Sequence, residues 1–472
     1  MDFRAQADQL GRIPDGHTPL ETYEPELTLE LDAYAPYIGN ERVEGLRRLA
    51  EPLQGKTWAH VNSTFAGGGV AEMLYSVIPL ARSMGIDAQW YCIRGDDAFF
   101  GVTKKFHNTL QGLTQYVSLE ELFDTYLGMT DRNAKDTYIY GDLVVVHDPQ
   151  PVGLLNAGRI FGNVLWRCHI DTSNPDPVVW RFLRPYINQA AGAIFTLPEY
   201  VGPGLNLPIY QVMPCIDPLA EKNRQYTDDE ALEILGPLFN EHNIDPDRPI
   251  IAAISRYDPH KNQTRIYESF KKLKQEKQFK KQPYLIFIGN TASDDPEGGQ
   301  ILKMLRESAD GDPDVRFWVN VENNNQVVGA MMHFAEMFVH VSTKEGFGLV
   351  VTEAMWQGTP VIGSSAGGIT QQVIDGKTGY VVDPLSLQQI SHAMARVLDK
   401  PDEAAALAKQ GQEHIRSNFL LPELLRRYFT LMRYYLGIDD TIPEFRLNQD
   451  LTADEWMQGF RRTSVLVNGT GK

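Results

Sequence analysis

Cysteine, long apolar runs and net positive charge are all scarce in this 472-residue chain. The three cysteines, Cys92, Cys168 and Cys215, fit neither a C-x-x-C motif nor zinc-ligand spacing, and their apolar surroundings predict buried, reduced thiols. No apolar stretch approaches the length of a membrane span, and the N-terminus lacks a signal-peptide pattern. The cysteine spacing therefore argues against a cysteine-based metal site. The lack of a membrane span and of a signal peptide argues against a membrane partner and predicts a cytoplasmic protein.

The net charge has the wrong sign for a nucleic-acid binder. It is formally −17 at pH 7, with a sequence pI near 5.1, whereas nucleic-acid partners require a basic surface. An acidic surface favours solubility and leaves room for a phosphate site, which needs only one or two local cations and some backbone N–H groups. The length predicts two or three domains with substantial cores.

Short apolar runs alternate with helical patterns along two stretches of the chain. The first set of runs lies at 57–63, 87–93, 143–147, 164–170 and 193–197. After a break near Pro214, the second lies at 249–255, 284–289, 315–319, 337–342, 360–363 and 379–382. Such alternation predicts α/β domains with doubly wound parallel sheets. The predicted segments are an N-terminal extension (1–55), a first domain (56–240), a second domain (241–418), and a C-terminal helix and tail (419–472).

The most informative motif is Glu345-Gly-Phe-Gly-Leu-Val-Val-Thr-Glu353, in which two carboxylates lie eight positions apart between a strand-like run and a helix-like run. A carboxylate on a strand-to-helix loop lies at the carboxyl edge of a sheet, where open α/β folds bind ligands. The pair can hold two hydroxyl-bearing parts of one ligand, such as a sugar and a ribose. An isolated glutamate pair is usually solvated surface charge, so the interpretation depends on the neighbouring motifs.

Two cations follow the first strand of the second domain. Arg256 and Lys261 lie in Ser255-Arg-Tyr-Asp-Pro-His-Lys-Asn-Gln263. They suit a diphosphate, because arginine binds two oxygens at once and lysine is a compact point charge. Most Arg/Lys pairs are solvated, but the position at the end of a strand favours binding here.

The first domain offers a glycine loop and two strand ends with polar residues. Gly67-Gly68-Gly69 lies between a strand and a helix, where backbone N–H groups can meet an anion, although a packing turn is an equally good interpretation. His169 and Asp171 end one strand, and His147-Asp148 ends another. A histidine there can hydrogen-bond a sugar hydroxyl, whereas most single histidines are structural. We predict a functional role for His169, leave His147 open, and assign Asp148 to an acceptor.

Taken together, these residues resemble the retaining glycosyltransferases of family four. Arg256 with Lys261 and Glu345 with Glu353 match that family's markers, and 67–72 is similar to its N-terminal glycine loop. A narrower resemblance, to the branch that contains trehalose synthases and trehalose phosphorylases, is found at residues 62–79, 102–108, 147–151 and 166–171. The resemblance covers about 57–435. It implies the GT-B fold, with two Rossmann-like domains facing a central cleft and a C-terminal helix crossing back to the first domain.

The resemblance also implies a role for each matching residue. Arg256 and Lys261 would neutralise the diphosphate of the donor, or the phosphate of a sugar phosphate, Glu353 would hold the ribose, and Glu345 would contact the donor sugar. His169 would contact that sugar near its reacting carbon, so the implied catalytic set is Glu345, His169, Arg256 and Lys261. Further implied donor contacts are Gly68, Gly69, Gly346, Phe347, Gly348 and Leu349. The implied acceptor contacts are Asp148, Asp171 and Asn62.

The implied reaction is retaining transfer of glucose from a nucleoside-diphosphate glucose to a small acceptor, with glucose preferred, which gives trehalose. No cofactor and no metal are expected, because arginine and lysine replace Mg²⁺. Three alternatives stay open: a phosphorylase that uses α-glucose 1-phosphate, the same transfer to glycerate, fructose or a sugar phosphate, and a noncatalytic nucleotide-sugar-binding protein. The nucleotide base also stays open, as does a homodimer, because the apolar helix at 421–436 could pack on the first domain or form a dimer face.

Overall fold

The computed structural model describes residues 20–66, 68–290 and 296–447, which form two compact units. The first unit contains the described residues up to Met213 and those from Leu424 onward, and the second runs from Pro214 to Glu423. The division coincides with the break in the alternation near Pro214 rather than with residue 240. The physical reason is that the helix Asp228–Glu241 packs within the second unit, where the rings of Phe239 and Phe334 lie 5.5 Å apart.

The first unit is built on an eight-stranded sheet with the order β1-β3-β2-β4-β5-β6-β7-β14. Its six inner strands are parallel, whereas the two-residue strands at its edges run antiparallel to their neighbours. The strands are β1 (Glu21–Thr22), β2 (Thr57–Asn62), β3 (Asp87–Cys92), β4 (Ile139–His147), β5 (Ile160–Arg167), β6 (Gly192–Phe195), β7 (Ile209–Gln211) and, near the end of the chain, β14 (Arg446–Leu447).

Helices connect these strands and cover the sheet. They are α1 (Ala35–Ile38), α2 (Asn40–Ala50), α3 (Gly68–Ser83), α4 (Asp97–Leu110), a π-helix (Glu121–Leu127), α5 (Gly128–Asp136) and α6 (Pro177–Ile187). Two of these helices have an aspartate as N-cap. The side chain of Asp96 accepts the N–H of Phe99 at the start of α4, and that of Asp176 accepts the N–H of Val178 at the start of α6.

Residues 20–53 belong to the first unit. Strand β1 pairs with β3, the ring of Tyr23 lies 5.0 Å from that of Trp90, and Glu24 forms an ion pair of 2.9 Å with Arg82. The part of the predicted N-terminal extension that the structure describes therefore packs on the first domain, whereas residues 1–19 lie outside the described ranges.

The second unit contains a six-stranded, wholly parallel sheet with the order β10-β9-β8-β11-β12-β13. Its strands are β8 (Ile250–Ile254), β9 (Tyr284–Gly289), β10 (Val315–Val319), β11 (Met337–His340), β12 (Val361–Ser364) and β13 (Tyr380–Val382). Its helices are α7 (Asp228–Glu241), α8 (Gln263–Glu276), α9 (Pro296–Ser308), α10 (Asn324–Phe334), α11 (Leu349–Trp356), α12 (Ile369–Gln372), α13 (Leu387–Asp399) and α14 (Pro401–Asn418).

The last helix, α15 (Leu421–Tyr435), begins in the second unit and lies in the first from Leu424 onward. Its Tyr428 and Phe429 pack on Trp58 of β2, with ring centroids 5.0 and 6.0 Å apart. Within the described ranges, no helix combines the length and apolarity that a membrane crossing needs.

Strand order fixes where each sheet can bind a ligand. In the second unit the order reverses between β8 and β11, and in the first it reverses between β2 and β4. Open α/β sheets bind ligands at such switch points, beyond the carboxyl ends of the strands. The α/β architecture with parallel sheets that the sequence predicts is confirmed.

Candidate active site

In the second unit, Glu345 is the centre of a compact polar network at the switch point. Its Oε2 accepts hydrogen bonds from Lys261 Nζ at 2.6 Å, His340 Nε2 at 2.8 Å and Ser342 Oγ at 3.3 Å. The side chain of Glu345 is 11% exposed and that of Lys261 is 18% exposed. The structure thus brings together two residues that lie 84 positions apart in the sequence, at the carboxyl ends of β8 and β11.

The network keeps Glu345 ionised. Burial alone would raise the pKa of this carboxyl, but the hydrogen bond from His340 and the charge of Lys261 outweigh burial and hold the pKa well below its ordinary value. Burial lowers the pKa of His340 despite the neighbouring carboxylate. His340 is therefore neutral at pH 7, and its Nε2 carries the proton, because an ionised carboxylate only accepts hydrogen bonds.

The loop that carries Arg256 and Lys261 is fixed by side-chain amides. Asn262 adopts the left-handed conformation, with a φ of 60°, and its Nδ2 donates to the carbonyl of Val341 at 3.0 Å. Gln263 donates from Nε2 to the carbonyl of Arg256 at 2.8 Å. Within the part of the chain that the structure describes, the guanidinium of Arg256 has neither a hydrogen bond nor an ion pair, so its donors remain available to an anion.

The backbone of 346–349 is held from behind by Gln372. This buried side chain donates from Nε2 to the carbonyl of Phe347 at 2.6 Å, and its Oε1 accepts from Thr352 Oγ1 at 2.6 Å. The ring of Phe347 packs against Phe419, with centroids 5.6 Å apart, so this side chain belongs to the core. Gly346 and Gly348 have no side chains, so they can meet a ligand only through backbone atoms. Leu349 is the first residue of α11.

Gly368 packs so tightly on this loop that a side chain cannot be added. A Cβ at this position would lie 2.6 Å from Phe347 Cα and 2.9 Å from the carbonyl oxygen of Gly346. We expect Gly368→Ala to displace the loop and to lower kcat/KM by roughly 10–100-fold, since a misplacement of about 1 Å can cost that much. Steady-state kinetics checks this, with Gly236→Ala in α7 as the control, because a Cβ there meets nothing within 4 Å. Equal activity of the two variants would contradict the prediction.

Glu353, the second carboxylate of the motif, is buried on α11 and paired. Its Oε1 lies 2.8 Å from Lys222 Nζ, and the two side chains are 5% and 14% exposed. Sequence analysis missed Lys222, because it lies in an irregular segment between the two alternating stretches and belongs to no recognisable motif.

The first unit contains a chain of three hydrogen-bonded histidines at the carboxyl edge of its sheet. His60 Nδ1 lies 2.9 Å from His147 Nε2, and His147 Nδ1 lies 3.0 Å from His169 Nε2. The rings stack in sequence, with centroids 5.2 and 5.3 Å apart. His60 and His147 are completely buried, whereas His169 is partly exposed. Sequence analysis missed His60, since a histidine that alternates with Ala59 and Val61 in a strand carries no separate signal.

Burial and a neighbouring cation keep these histidines neutral. Burial lowers the pKa of His60 to about 3. Burial also lowers the pKa values of His147 and His169 well below their ordinary range, and the neighbouring histidines and the charge of Arg167 add to this effect. Arg167 is itself completely buried, and its three guanidinium nitrogens have no hydrogen-bond partner among the described residues. It is a third residue that sequence analysis did not identify, after Lys222 and His60.

Asp148 is hydrogen-bonded to the backbone of His169, the exposed member of the histidine chain. It adopts a left-handed backbone conformation, with a φ of 60°, and its Oδ1 accepts the backbone N–H of His169 at 2.9 Å. Its own N–H donates to the carbonyl of Arg167 at 2.8 Å. Burial raises the pKa of Asp148 to about 6, although the hydrogen bond from His169 and the charge of Arg167 oppose this rise. Asp148 and His169 are thus brought together.

The remaining candidates of the first unit make local contacts. Asn62 Oδ1 accepts the N–H of Ser63 at 2.8 Å, and Asp171 Oδ1 accepts that of Ser173 at 2.9 Å. Gly68 and Gly69 begin α3, and Gly68 has a φ of 78°, which favours glycine. Gly67 lies outside the described residues. No hydrogen bond between described residues joins Asn62 or Asp171 to the histidine chain.

The raised pKa of Asp148 predicts a pH-dependent stability difference for Asp148→Asn. A carboxyl whose pKa rises on folding binds more protons in the native state, so its contribution to stability falls as pH rises from about 4 to 6 and stays lost above that window. Asparagine keeps the oxygen acceptor and tolerates the left-handed conformation. Because one pKa unit corresponds to about 1.4 kcal/mol and the pKa rises from 3.8 to about 6, we expect a gain of up to about 3 kcal/mol at pH 7.5.

Thermal or urea unfolding at pH 7.5 and at pH 4 measures this gain. The free energies of unfolding of wild type and Asp148→Asn should differ at the higher pH and converge at the lower one. A variant that is less stable at both pH values would contradict the assigned burial of the charge.

Two family profiles match most of the chain. One, described as "Trehalose synthase, N-terminal domain", matches residues 60–202, and one described as "Glycosyl transferases group 1" matches residues 237–414. The chain is 39% identical over 411 residues to a trehalose synthase from Pyrococcus horikoshii, which covers 85% of this chain and 96% of that protein.

More distant similarities extend to a phosphorylase and to solved structures. Identity to a trehalose phosphorylase from Pleurotus pulmonarius is 26% over 402 residues, which covers 75% of this chain and 54% of that protein. The crystal structure of an α,α-trehalose-phosphate synthase (UDP-forming) from Burkholderia xenovorans matches with a TM-score of 0.62 at 15% identity, over 80% of this chain and 100% of that one. At this identity, the structural likeness shows the GT-B fold alone.

Proposed function

Because this chain belongs to the trehalose synthase family of glycosyltransferases, we propose that it transfers glucose from a nucleoside-diphosphate glucose to glucose, with retention of configuration, and so forms trehalose. It is an enzyme that transfers glycosyl groups, and trehalose synthases and trehalose phosphorylases are among its relatives. The proposal adds the donor class, the acceptor and the stereochemistry.

The observation that carries the proposal is the arrangement of Arg256, Lys261 and Glu345 at the switch point of the second unit. A nucleoside diphosphate gains negative charge as its bond to glucose breaks. Lys261, 2.6 Å from Glu345, and Arg256, whose guanidinium has no partner among the described residues, can stabilise that charge. Glu345 is ionised and therefore accepts hydrogen bonds from hydroxyl groups of the donor sugar.

The same electrostatics favour retention without a protein nucleophile. Lys261 and His340 stabilise the charged form of Glu345, which makes this carboxylate a weak base and a weak nucleophile. We therefore assign proton removal from the acceptor hydroxyl to the departing phosphate. The acceptor then attacks the face that the leaving group has just left, and the sugar keeps its α configuration.

A nucleotide donor is preferred because a second carboxylate, Glu353, lies on α11, eight residues after Glu345. In this proposal it holds the ribose hydroxyls, and Lys222, at 2.8 Å, sets its position and charge. His169 contacts the donor sugar, and Asp148 orients the backbone of His169.

A phosphorylase is the second candidate function, and one observation favours it. Glu353 is only 5% exposed and already bound to Lys222, which would suit a structural carboxylate in an enzyme that binds no ribose. The donor would then be α-glucose 1-phosphate, and the same two cations would hold its phosphate.

A donor panel distinguishes the two. The purified protein is incubated with glucose and, in separate reactions, UDP-, ADP- and GDP-glucose and α-glucose 1-phosphate, with donor-only controls. Trehalose with equimolar nucleoside diphosphate is the expected result and identifies the base. Trehalose from glucose 1-phosphate alone, with release of phosphate, would make the protein a phosphorylase. Donor hydrolysis without a disaccharide would overturn glucose as the acceptor.

A further inference from the structure

The histidine chain of the first unit connects a partly exposed imidazole to two that are completely buried. His169 is at the exposed end, and His60 and His147 lie behind it with no exposed surface. The buried pair cannot touch a substrate in this arrangement. His169 is the exposed member of the chain, so the hydrogen bonds offer a route by which these two residues can act on glycosyl transfer.

Because all three rings are neutral, each carries one proton, and two hydrogen bonds can orient the chain in only two ways. In the first, His60 Nδ1–H donates to His147, His147 Nδ1–H donates to His169 Nε2, and His169 keeps its proton on Nδ1. In the second, every bond is reversed, and His169 presents an unprotonated Nδ1. The choice decides whether His169 offers the substrate a donor or an acceptor.

The inner end of the chain favours the first orientation. His60 Nε2 is buried and has no hydrogen-bond partner among the described residues. In the first orientation this atom is an unprotonated acceptor, and in the second it is an N–H donor without an acceptor. Buried donors without a partner are rarer than buried acceptors without one, so the proton of His60 belongs on Nδ1, where His147 accepts it.

We propose that His60 and His147 are positioning residues that fix the tautomer of His169, so that His169 offers a neutral Nδ1–H donor to an oxygen of the donor sugar. The inference rests on the proposed function for its substrate, but not for the tautomer itself. His169 keeps its proton throughout the reaction, and it stabilises the bound sugar through a hydrogen bond.

Arg167 is consistent with this role. Its buried guanidinium has no hydrogen-bond partner among the described residues, and its charge also acts on the carboxyl of Asp148, whose pKa it lowers against the rise caused by burial. A cation close to His147 and His169 disfavours a second proton on either ring. The histidine chain therefore stays neutral, and its orientation is not lost to protonation near neutral pH.

The direct test is ¹⁵N NMR of histidine-labelled wild-type protein without substrate, with the His169 signals assigned by comparison with His169→Gln. The expected result is a protonated Nδ1 and an unprotonated Nε2 on His169. A protonated Nε2 on His169 would overturn the inference, and so would an imidazolium at pH 7. This result does not depend on whether the donor is a nucleotide sugar or a sugar phosphate.

A matched pair of variants tests the positioning role. His60→Asn places an amide where Nδ1 of the histidine lies and can still donate to His147, whereas His60→Leu removes the bond at similar volume. We expect His60→Leu to lower kcat at least about tenfold with little change in the KM for the acceptor, and to mix the His169 tautomers in the NMR spectrum. His60→Asn should recover most of kcat and the single tautomer.

Equal kcat in both variants, or a His169 tautomer that stays single in His60→Leu, would overturn the positioning role. Loss of folding in His60→Leu leaves the decision to the wild-type spectrum and His60→Asn. Failure of the wild type to transfer glucose from any donor would overturn the proposed function, while the spectrum would still decide the tautomer.

Discussion

Replacement of Lys261 by alanine is expected to lower kcat by about 10²–10³-fold while the protein stays folded, the loss that follows removal of one group that stabilises transition-state charge. Lys261 lies after β8 at the carboxyl edge of the second sheet, and its Nζ lies 2.6 Å from Glu345. Without it, the leaving phosphate loses one of the two cations assigned to it and keeps Arg256. Steady-state kinetics with the identified donor measures the loss, and thermal unfolding checks the fold.

The chain offers a matched control in Lys274. Its Nζ also lies 2.6 Å from a carboxylate, that of Asp312, and the two side chains are 17% and 10% exposed, against 18% and 11% for Lys261 and Glu345. Asp312 precedes β10, so this pair lies at the amino edge of the same sheet. We expect Lys274→Ala to lower the melting temperature but to retain kcat. If both lysine variants keep near-normal kcat, the assigned donor site is wrong.

The second large effect is expected at Glu345. Glu345→Gln keeps the size of the side chain, and its amide oxygen can take the place of Oε2, which accepts the three hydrogen bonds. The substitution removes the charge that balances Lys261. Hydrogen bonds to an ionised group are about twice as strong as neutral ones, so we expect kcat to fall by roughly 10²-fold. Kinetics of Glu345→Gln measures this, with Asp312→Asn as the control that should retain activity.

Glu345→Ala with added azide separates a charge-stabilising role from a nucleophilic one. An enzyme that has lost its carboxylate nucleophile can use azide in its place and releases a glucosyl azide. Because Lys261 and His340 make Glu345 a weak nucleophile, we expect no glucosyl azide from this variant. Its formation would identify Glu345 as a covalent nucleophile and would contradict the proposed mechanism.

The main architecture is visible in the sequence, because long, regular alternation of apolar strands and amphipathic helices has few other solutions. The predicted runs at 57–63, 284–289 and 315–319 coincide with β2, β9 and β10. The edge strands β1 and β14 are two residues long, too short to show a period. They form because the neighbouring strands offer unpaired backbone groups, which is a tertiary effect.

The sequence predicts residues of the candidate site only where they lie in short motifs that follow the end of a strand. Arg256, Lys261, Glu345 and Glu353 belong to such motifs. Lys222 and Gln372 do not, because each acts on the motif from a distant segment, through an ion pair with Glu353 and a hydrogen bond to Phe347. His60 and Arg167 lie inside strands, where a polar residue that faces a buried layer cannot be distinguished by pattern from one that faces solvent.

The most direct test of the proposed glucose transfer is to determine the anomeric configuration of its product. The protein is incubated with unlabelled glucose and a nucleoside-diphosphate glucose labelled with ¹³C at the anomeric carbon, and the product is followed by NMR. Trehalose with the label in an α-configured anomeric carbon, formed at the rate at which the nucleoside diphosphate appears, is the result we predict. A label that appears in a β-linked product, or only in free glucose, would contradict retaining transfer.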